Sequence, residues 1–392
     1  MAKNIVVCCD GTGNQVEGNL SNVLKLFRIA QKNSSQCVFY NAGIGTIGSA
    51  DNWTALKQNT KSVFELATGY GLDDEILGAY RFVSEQFEED DQIFLFGFSR
   101  GAYTVRALAG FIHMVGLLPI HQLNIANYGL TAYKRSSEAN NLEIAWDFSR
   151  IIGGRRATIK FIGVWDTVAS ILVPRGDRLV PTLLMLPYTR TNPSVQVFRH
   201  AMAIDERRRM FRLNRWIDPQ PYVANPFDHS APRVEQDIKQ VWFAGSHSDV
   251  GGGYPEPESG LSKYPLAWMI DQAVANGFKI NVAMRNNLVL GQPRPGGKNV
   301  YVAPNARAEL HPSLTPGWRP LEWIPKSMKW NEWPRPHILG FYIPDGEPRR
   351  IENAQVRPLL HASATERKTA LPNYDPPNFP GDFDVEPYTT SE

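Results

Sequence analysis

Four short apolar runs, each rich in β-formers and each broken off by a cluster of small and polar residues, constrain this chain more than anything else in it. They are NIVVCC before DGTGN, QIFLFG before FSRGA, IKFIGVW before DTVAS, and QVWFAG before SHSDVGGGY. Near-continuous apolar character suits strands covered on both faces, as inside a parallel sheet. Between the first two runs, DDEILGAYRFVSEQF repeats its apolar residues at the helical spacings of three and four. AYTVRALAGFIHMVGLL does the same after the second run. Strands alternating with helices predict an α/β fold, a doubly wound and mainly parallel sheet, in one domain over 1–392. Ligands bind such sheets beyond the carboxyl ends of the strands, and all four polar clusters fall there.

Bulk properties remove several other classes. The chain has 392 residues, 43% of them hydrophobic and 20% charged, enough for a sizeable core. Forty-one Lys and Arg against 39 Asp and Glu leave a net charge of only +2, which gives no sign of a nucleic-acid partner. Of three cysteines, Cys8 and Cys9 are adjacent in a strand-like run, so they face opposite ways and cannot staple a secreted scaffold. No Cys/His metal spacing occurs, and no cofactor is expected. The N-terminus enters a strand almost at once without a signal-peptide apolar region, so a cytoplasmic protein is expected, export by a specialised secretion system aside.

The rhythm breaks between about 170 and 240. LVPRGDRLVPTLLMLPY is followed by a basic, helix-like RHAMAIDERRRMFRLNRW and a Pro-rich stretch. This segment is expected to be a lid or cap inserted over the strand ends. Its TLLMLP piece is either a peripheral membrane contact or an ordinary buried turn. Later, FYIPDGEPRRIE reads as a hairpin around Asp345-Gly346, and 372–392 as an extended C-terminal arm.

The chemistry centres on GFSRG. A nucleophile projecting from a tight strand-to-helix turn needs close approach of its flanks, and Gly97 and Gly101 carry no Cβ to prevent it. Ser99 is the candidate nucleophile, with the Arg100 N–H as one oxyanion donor at the start of the helix. The second donor is expected from Gly11 or Thr12 in the DGTGN loop, ordered by Asp10 and Asn14. The serine-hydrolase order Ser, then Asp, then His is met by Ser99, Asp166 and His247, each just past a strand. An imidazole is the natural base near neutral pH, and a carboxylate fixes its tautomer. His361 in LLHASATER is a rival base, and His200, read as part of the lid helix, belongs to a structural ion network. Asp249 orders the GGGY loop or binds a metal; Trp323, Trp330 and Trp333 pack or line an acyl site.

Taken together, DGTGN, YNAGIGT, ATGYGLDDEILGAYRFV, IFLFGFSRGAYTVRALAGFI, GVWDTVAS, RHAMAIDERR, VWFAGSHSDVGGGY and LHASATER resemble the α/β-hydrolase family that includes the type VI secretion phospholipase effectors. Much of that family is known only as a domain of unknown function. The resemblance spans about residues 3 to 380 and covers the catalytic domain only. It implies an α/β-hydrolase fold and, from the studied effectors, activity on phospholipid esters. By position it carries the nucleophile onto Ser99, the acid onto Asp166 and a histidine onto His247. The expected activity is cleavage of a lipid or small-molecule carboxylic ester. Two other readings stand beside it: a silent hydrolase fold serving as a binding module, and a metal-dependent phosphoesterase built on Asp10, Asp166 and Asp249.

Overall fold

The computed structural model describes residues 2–11, 20–43, 71–138, 143–168, 172–173, 182–183, 186–223, 234–297, 299–352 and 356–389. They build an eight-stranded sheet from β1 (Asn4–Cys9), β2 (Gln36–Asn41), β3 (Gln92–Phe98), β4 (Ile159–Trp165), β5 (Val195–Ala203), β6 (Asp237–Phe243), β7 (Leu359–His361) and β8 (Asp384–Glu386). The spatial order is β8-β7-β6-β5-β4-β3-β1-β2, and every neighbouring pair is parallel. Strand order reverses at β1, which lies between β2 and β3 and so opens a crevice at its carboxyl end. This is an α/β fold of α/β-hydrolase type.

Both faces of the sheet are covered, which explains the unbroken apolar runs. Ile5, Val7 and Cys9 of β1 and Ile93 and Leu95 of β3 enter one core with α2 (Leu72–Gln86) and α3 (Ser99–Val115). Val6, Cys8, Phe94, Phe96 and Phe98 enter the other, with α1 (Asn22–Ile29) and a later helix, Lys263–Ala275. Cys8 and Cys9 do face opposite ways.

The stretch expected to be one insertion over 170–240 is corrected by β5 and β6. Val195–Ala203 lies in the middle of the sheet, paired with β4 and β6, and its residues are almost all buried. The arginine and histidine that suggested a helix are held within the strand. Arg199 donates to Asp237 (2.7 Å) and Gln272 (2.7 Å), and His200 Nε2 accepts from Thr167 N–H (3.1 Å). Burial first, then the positive charge of Arg106, holds His200 well below the ordinary imidazole range, so it stays neutral in a strand. Arg106, itself fully buried in α3, donates to Thr189 C=O (2.7 Å) and Asn214 C=O (2.6 Å), tying this stretch to the core. Within TLLMLP, Leu184 and Met185 lie outside the described residues. Asp345 and Gly346 form a turn with φ of +48° and +67°, yet Phe341–Tyr342 pairs with Lys326–Ser327, not with the chain after the turn. In the 372–392 stretch, β8 lies at the sheet edge, where Glu386 accepts from Lys239 Nζ (2.9 Å) and Trp268 Nε1 (3.0 Å).

Candidate active site

The chain turns from β3 into α3 at Ser99, whose φ is +56°, a left-handed value that a side chain strains to adopt. The two glycines of the motif make that turn sterically feasible. A Cβ on Gly97 would sit 2.5 Å from Gly101 O, and one on Gly101 would sit 2.1 Å from Cys9 O and 2.5 Å from Asp10 O. The elbow is therefore pressed against the end of β1, with backbone as the obstacle. Gly101→Ala is expected to destabilise the fold by about 3 kcal/mol, read as a lowered urea midpoint at unchanged slope.

Ser99 is half-buried, and its Oγ has no hydrogen-bond partner among the described residues. Next to it, the Arg100 N–H lies in the first turn of α3, where amides lack a helical acceptor. The Arg100 side chain points elsewhere: it donates to Glu75 (3.0 Å), which also accepts from Thr104 (2.9 Å) and so locks α3 to α2. At the end of β1, Asp10 is buried and accepts from Gly11 N–H (2.7 Å), Tyr40 OH (2.8 Å) and the Ser21 hydroxyl. Burial, with the Asp10 charge behind it, pushes the Tyr40 hydroxyl well up. Asp10 thus ties the end of β1, against which the elbow packs, to β2 and to the start of α1. Gly11 N–H is engaged by that carboxylate, while Thr12 and Asn14 lie outside the described residues.

Asp166, fully buried at the end of β4, also has a positive φ, +38°. Its Oδ2 meets His247 Nδ1 at 2.5 Å. A carboxylate only accepts, so Nδ1 carries the proton and Nε2 keeps its lone pair. His247 opens a short helix, His247–Gly251, whose start is fixed by reciprocal bonds between Ser246 and Asp249. The imidazole lies between two rings, Phe98 at 4.7 Å and Phe211, edge-on, at 4.9 Å. Phe98 immediately precedes Ser99, so the nucleophile's own strand supplies one wall for the base. Burial lowers the His247 pKa against the pull of Asp166, leaving the ring neutral at pH 7.

His361 has different surroundings. It is fully buried on β7, where its Nδ1 accepts from Ser363 N–H (3.2 Å) and caps the helix Ala362–Ala370. Its ring stacks on Phe243 at 4.6 Å. β7 is four places from β3, about 19 Å at ordinary strand spacing. Asp166 therefore meets His247, and His361 serves a helix cap.

Asp249 accepts from Ser246 N–H (2.9 Å), and its other oxygen meets His311 Nδ1 at 2.7 Å. Asp10, Asp166 and Asp249 are thus each engaged with separate partners. Among the described residues no group of three or more His, Cys, Asp or Glu side chains is arranged to hold a metal ion. Trp333 donates to Pro348 C=O (2.6 Å), Trp323 is exposed, and the Trp330 side chain lies outside the described residues.

Three participants went unnoticed in the sequence. Arg349 forks onto Asp166, with NH1 to Oδ1 at 2.6 Å and NH2 to Oδ2 at 3.0 Å, and it is buried. Its remaining bonds go to the carbonyls of Ala203 (3.2 Å) and Phe211 (2.7 Å). Burial would lift the Asp166 pKa, but Arg349 and then His247 hold it far below the carboxylate range. Glu206 accepts His247 N–H (3.2 Å); burial would raise it too, yet Arg208 brings it down to about 2. His311 is the third. No local pattern marks their links to the site, since Arg349 lies 183 residues from Asp166, Glu206 lies 41 from His247 and His311 lies 62 from Asp249.

The α/β fold thus brings a strained serine elbow past β3 and a buried Asp166–His247 pair past β4 and β6 to the same end of the sheet. Residues 3–272 match the family model described as type VI secretion system phospholipase effector Tle1-like, catalytic domain, and the chain belongs to that family. It is also similar to the uncharacterized protein YEL023C of Saccharomyces cerevisiae, 31% identical over 240 residues, 57% of this chain and 34% of that protein. The chain thus spans about a third of that relative's length. Among solved structures it is similar to an uncharacterized protein from Pseudomonas aeruginosa (18% identity, 71% of this chain and 46% of that one, TM-score 0.37). A Tle1 effector bound to the VgrG spike of the type VI secretion system is another (20% identity, 67% and 53%, TM-score 0.33). The fold assignment rests on the sheet itself, not on these two structures.

Proposed function

We propose that the chain is a serine hydrolase of lipid esters, phospholipids first, acting through an acyl-enzyme on Ser99. The observation that carries this reading is the Asp166–His247 pair at 2.5 Å, set beside a serine held at φ +56°. Ser99 Oγ attacks the acyl carbon as His247 Nε2 takes its proton, and Asp166 holds Nδ1–H and balances the imidazolium. The Arg100 amide receives the developing oxyanion; Thr12 is the candidate second donor, since Gly11 N–H is engaged with Asp10. His247 returns the proton to the departing alcohol. Water, deprotonated by the same imidazole, then releases the fatty acid. The family supports a lipid ester as the substrate class.

The test compares nitrophenyl esters with phospholipid vesicles, for the parent and Ser99→Ala, with and without EDTA. The parent should turn over esters equally in EDTA, and Ser99→Ala should lose about 10⁴-fold or more of kcat. Full turnover by Ser99→Ala, or activity that EDTA abolishes, would sink the reading and favour the metal-dependent alternative.

A further inference from the structure

Lys326–Ser327 and Phe341–Tyr342 form a small antiparallel ribbon outside the main sheet, with Lys326 opposite Tyr342. At its end, Ile338 and Phe341 exchange two backbone hydrogen bonds of 2.9 Å across Leu339-Gly340. Those two residues have φ of +51° and +79°. A two-residue turn of this kind normally takes Asn-Gly or Asp-Gly, because a bulky side chain at the first place strains the backbone. Here that place holds a leucine, and it is 92% exposed; Ile338 beside it is 79% exposed. Alternate residues of a strand face opposite ways, and Phe341 and Ile343 are exposed while Tyr342 between them is buried. Trp323 and Ile324, leading into the other strand, are exposed too. The turn thus accepts local strain and presents apolar groups to water, two costs that an apolar contact would offset.

The charges around this tip narrow the partner. From 319 to 343 the carboxylates are Glu322 and Glu332, and both turn inward to Arg209, one to its N–H (2.7 Å) and one to its guanidinium (2.6 Å). Arg319 and Lys329 are exposed, against one exposed carboxylate, Asp345, just past the ribbon. A projecting apolar tip set among cations suits a bilayer that contains anionic lipid, where side chains enter the acyl boundary and cations meet phosphates. A second copy would bring like charges together. The buried side of the ribbon adjoins the site: Arg209 Nε donates to Tyr342 OH (2.9 Å), and Arg209 is two residues from Phe211, which covers His247.

We propose that the 338–341 tip of this ribbon is a docking surface for an anionic lipid bilayer, seating the protein with its active-site side toward the membrane. The docking itself requires no chemistry at Ser99, although its place in lipid-ester turnover rests on the function proposed above. The test uses the full chain carrying Ser99→Ala, so that lipid is not consumed, floated with vesicles of phosphatidylcholine alone or mixed equally with phosphatidylglycerol. The mixed vesicles should bind it more tightly. Leu339→Asp and Leu339→Gly should each weaken that binding about tenfold. Glycine suits the turn, so the Gly variant should unfold no earlier than its parent. In the Ser99-intact protein both should hydrolyse a soluble short-chain ester within about twofold of the parent.

Equal vesicle binding by parent and variants would overturn the proposal, as would a parent that ignores mixed vesicles. A parent that forms dimers which Leu339→Asp dissolves, with no vesicle binding, would make the tip a protein interface and overturn it as well. Vesicle binding lost in the variants, in a protein whose Ser99 proves inert, would support the docking surface while striking the hydrolase reading.

Discussion

His247→Ala is expected to lower kcat on any ester by about 10⁴-fold or more, while His361→Ala leaves kcat close to the parent value. The two histidines differ in what their rings do. His247 Nδ1–H donates to Asp166 at 2.5 Å, which leaves Nε2 as the base. His361 Nδ1 is spent on Ser363 N–H at 3.2 Å and its ring on Phe243, so it acts on a helix end. Removing it should cost about 2 kcal/mol of stability through the lost cap and the cavity left behind. Steady-state kinetics beside thermal unfolding separates the two effects. A dead but well-folded His361→Ala protein would reverse the assignment. Because burial lowers the His247 pKa, the acid limb of kcat/KM should lie below the ordinary imidazole value of 6.5, activity falling as the pH drops through it.

The second large effect belongs to Arg349. Its forked contact holds both oxygens of Asp166, at 2.6 and 3.0 Å, and helps keep that carboxylate ionised in a fully buried place. Arg349→Ala should destabilise the fold by about 3–5 kcal/mol, because it leaves a buried charge short of a partner. Arg349→Lys is therefore the informative variant: it keeps the charge and loses the fork. A lysine should lower kcat by about tenfold to a hundredfold with KM little changed, since Arg349 positions the acid and does not touch the ester. In Arg349→Gln the uncompensated Asp166 becomes a stronger acceptor and favours the imidazolium. The acid limb should then move to higher pH by about one unit. A purely structural arginine would lower stability and leave that limb in place.

Much of this molecule is legible in its sequence because its central strands are buried on both faces. The runs ending at Cys9, Phe98, Trp165 and Phe243 declare themselves; Ser99 and Asp166 follow their strands directly, and His247 comes four residues after Phe243. Asp10 and Asp249 were expected to order their own loops, yet each also bonds well beyond its loop, Asp10 with Tyr40 and Asp249 with His311. β5 was missed because VQVFRHAMA carries an arginine and a histidine, which read as a solvated face. A central strand can hold them when Asp237 and Gln272 accept from Arg199 and the Thr167 amide donates to a neutral His200. Arg349 is harder still. It stands among prolines and glycines with no period around it, and its carboxylate partner is 183 residues earlier. Such long-range pairing leaves no local trace.

The central claim is that Ser99 is a nucleophile activated by His247 and Asp166. A fluorophosphonate probe, followed by peptide mapping, measures this directly, since the reagent bonds covalently to an activated serine. The account predicts one adduct, on Ser99, formed rapidly in the parent, absent from Ser99→Ala and strongly slowed in His247→Ala. An adduct on another residue that persists in Ser99→Ala, or a Ser99 that labels as fast without His247, would contradict it.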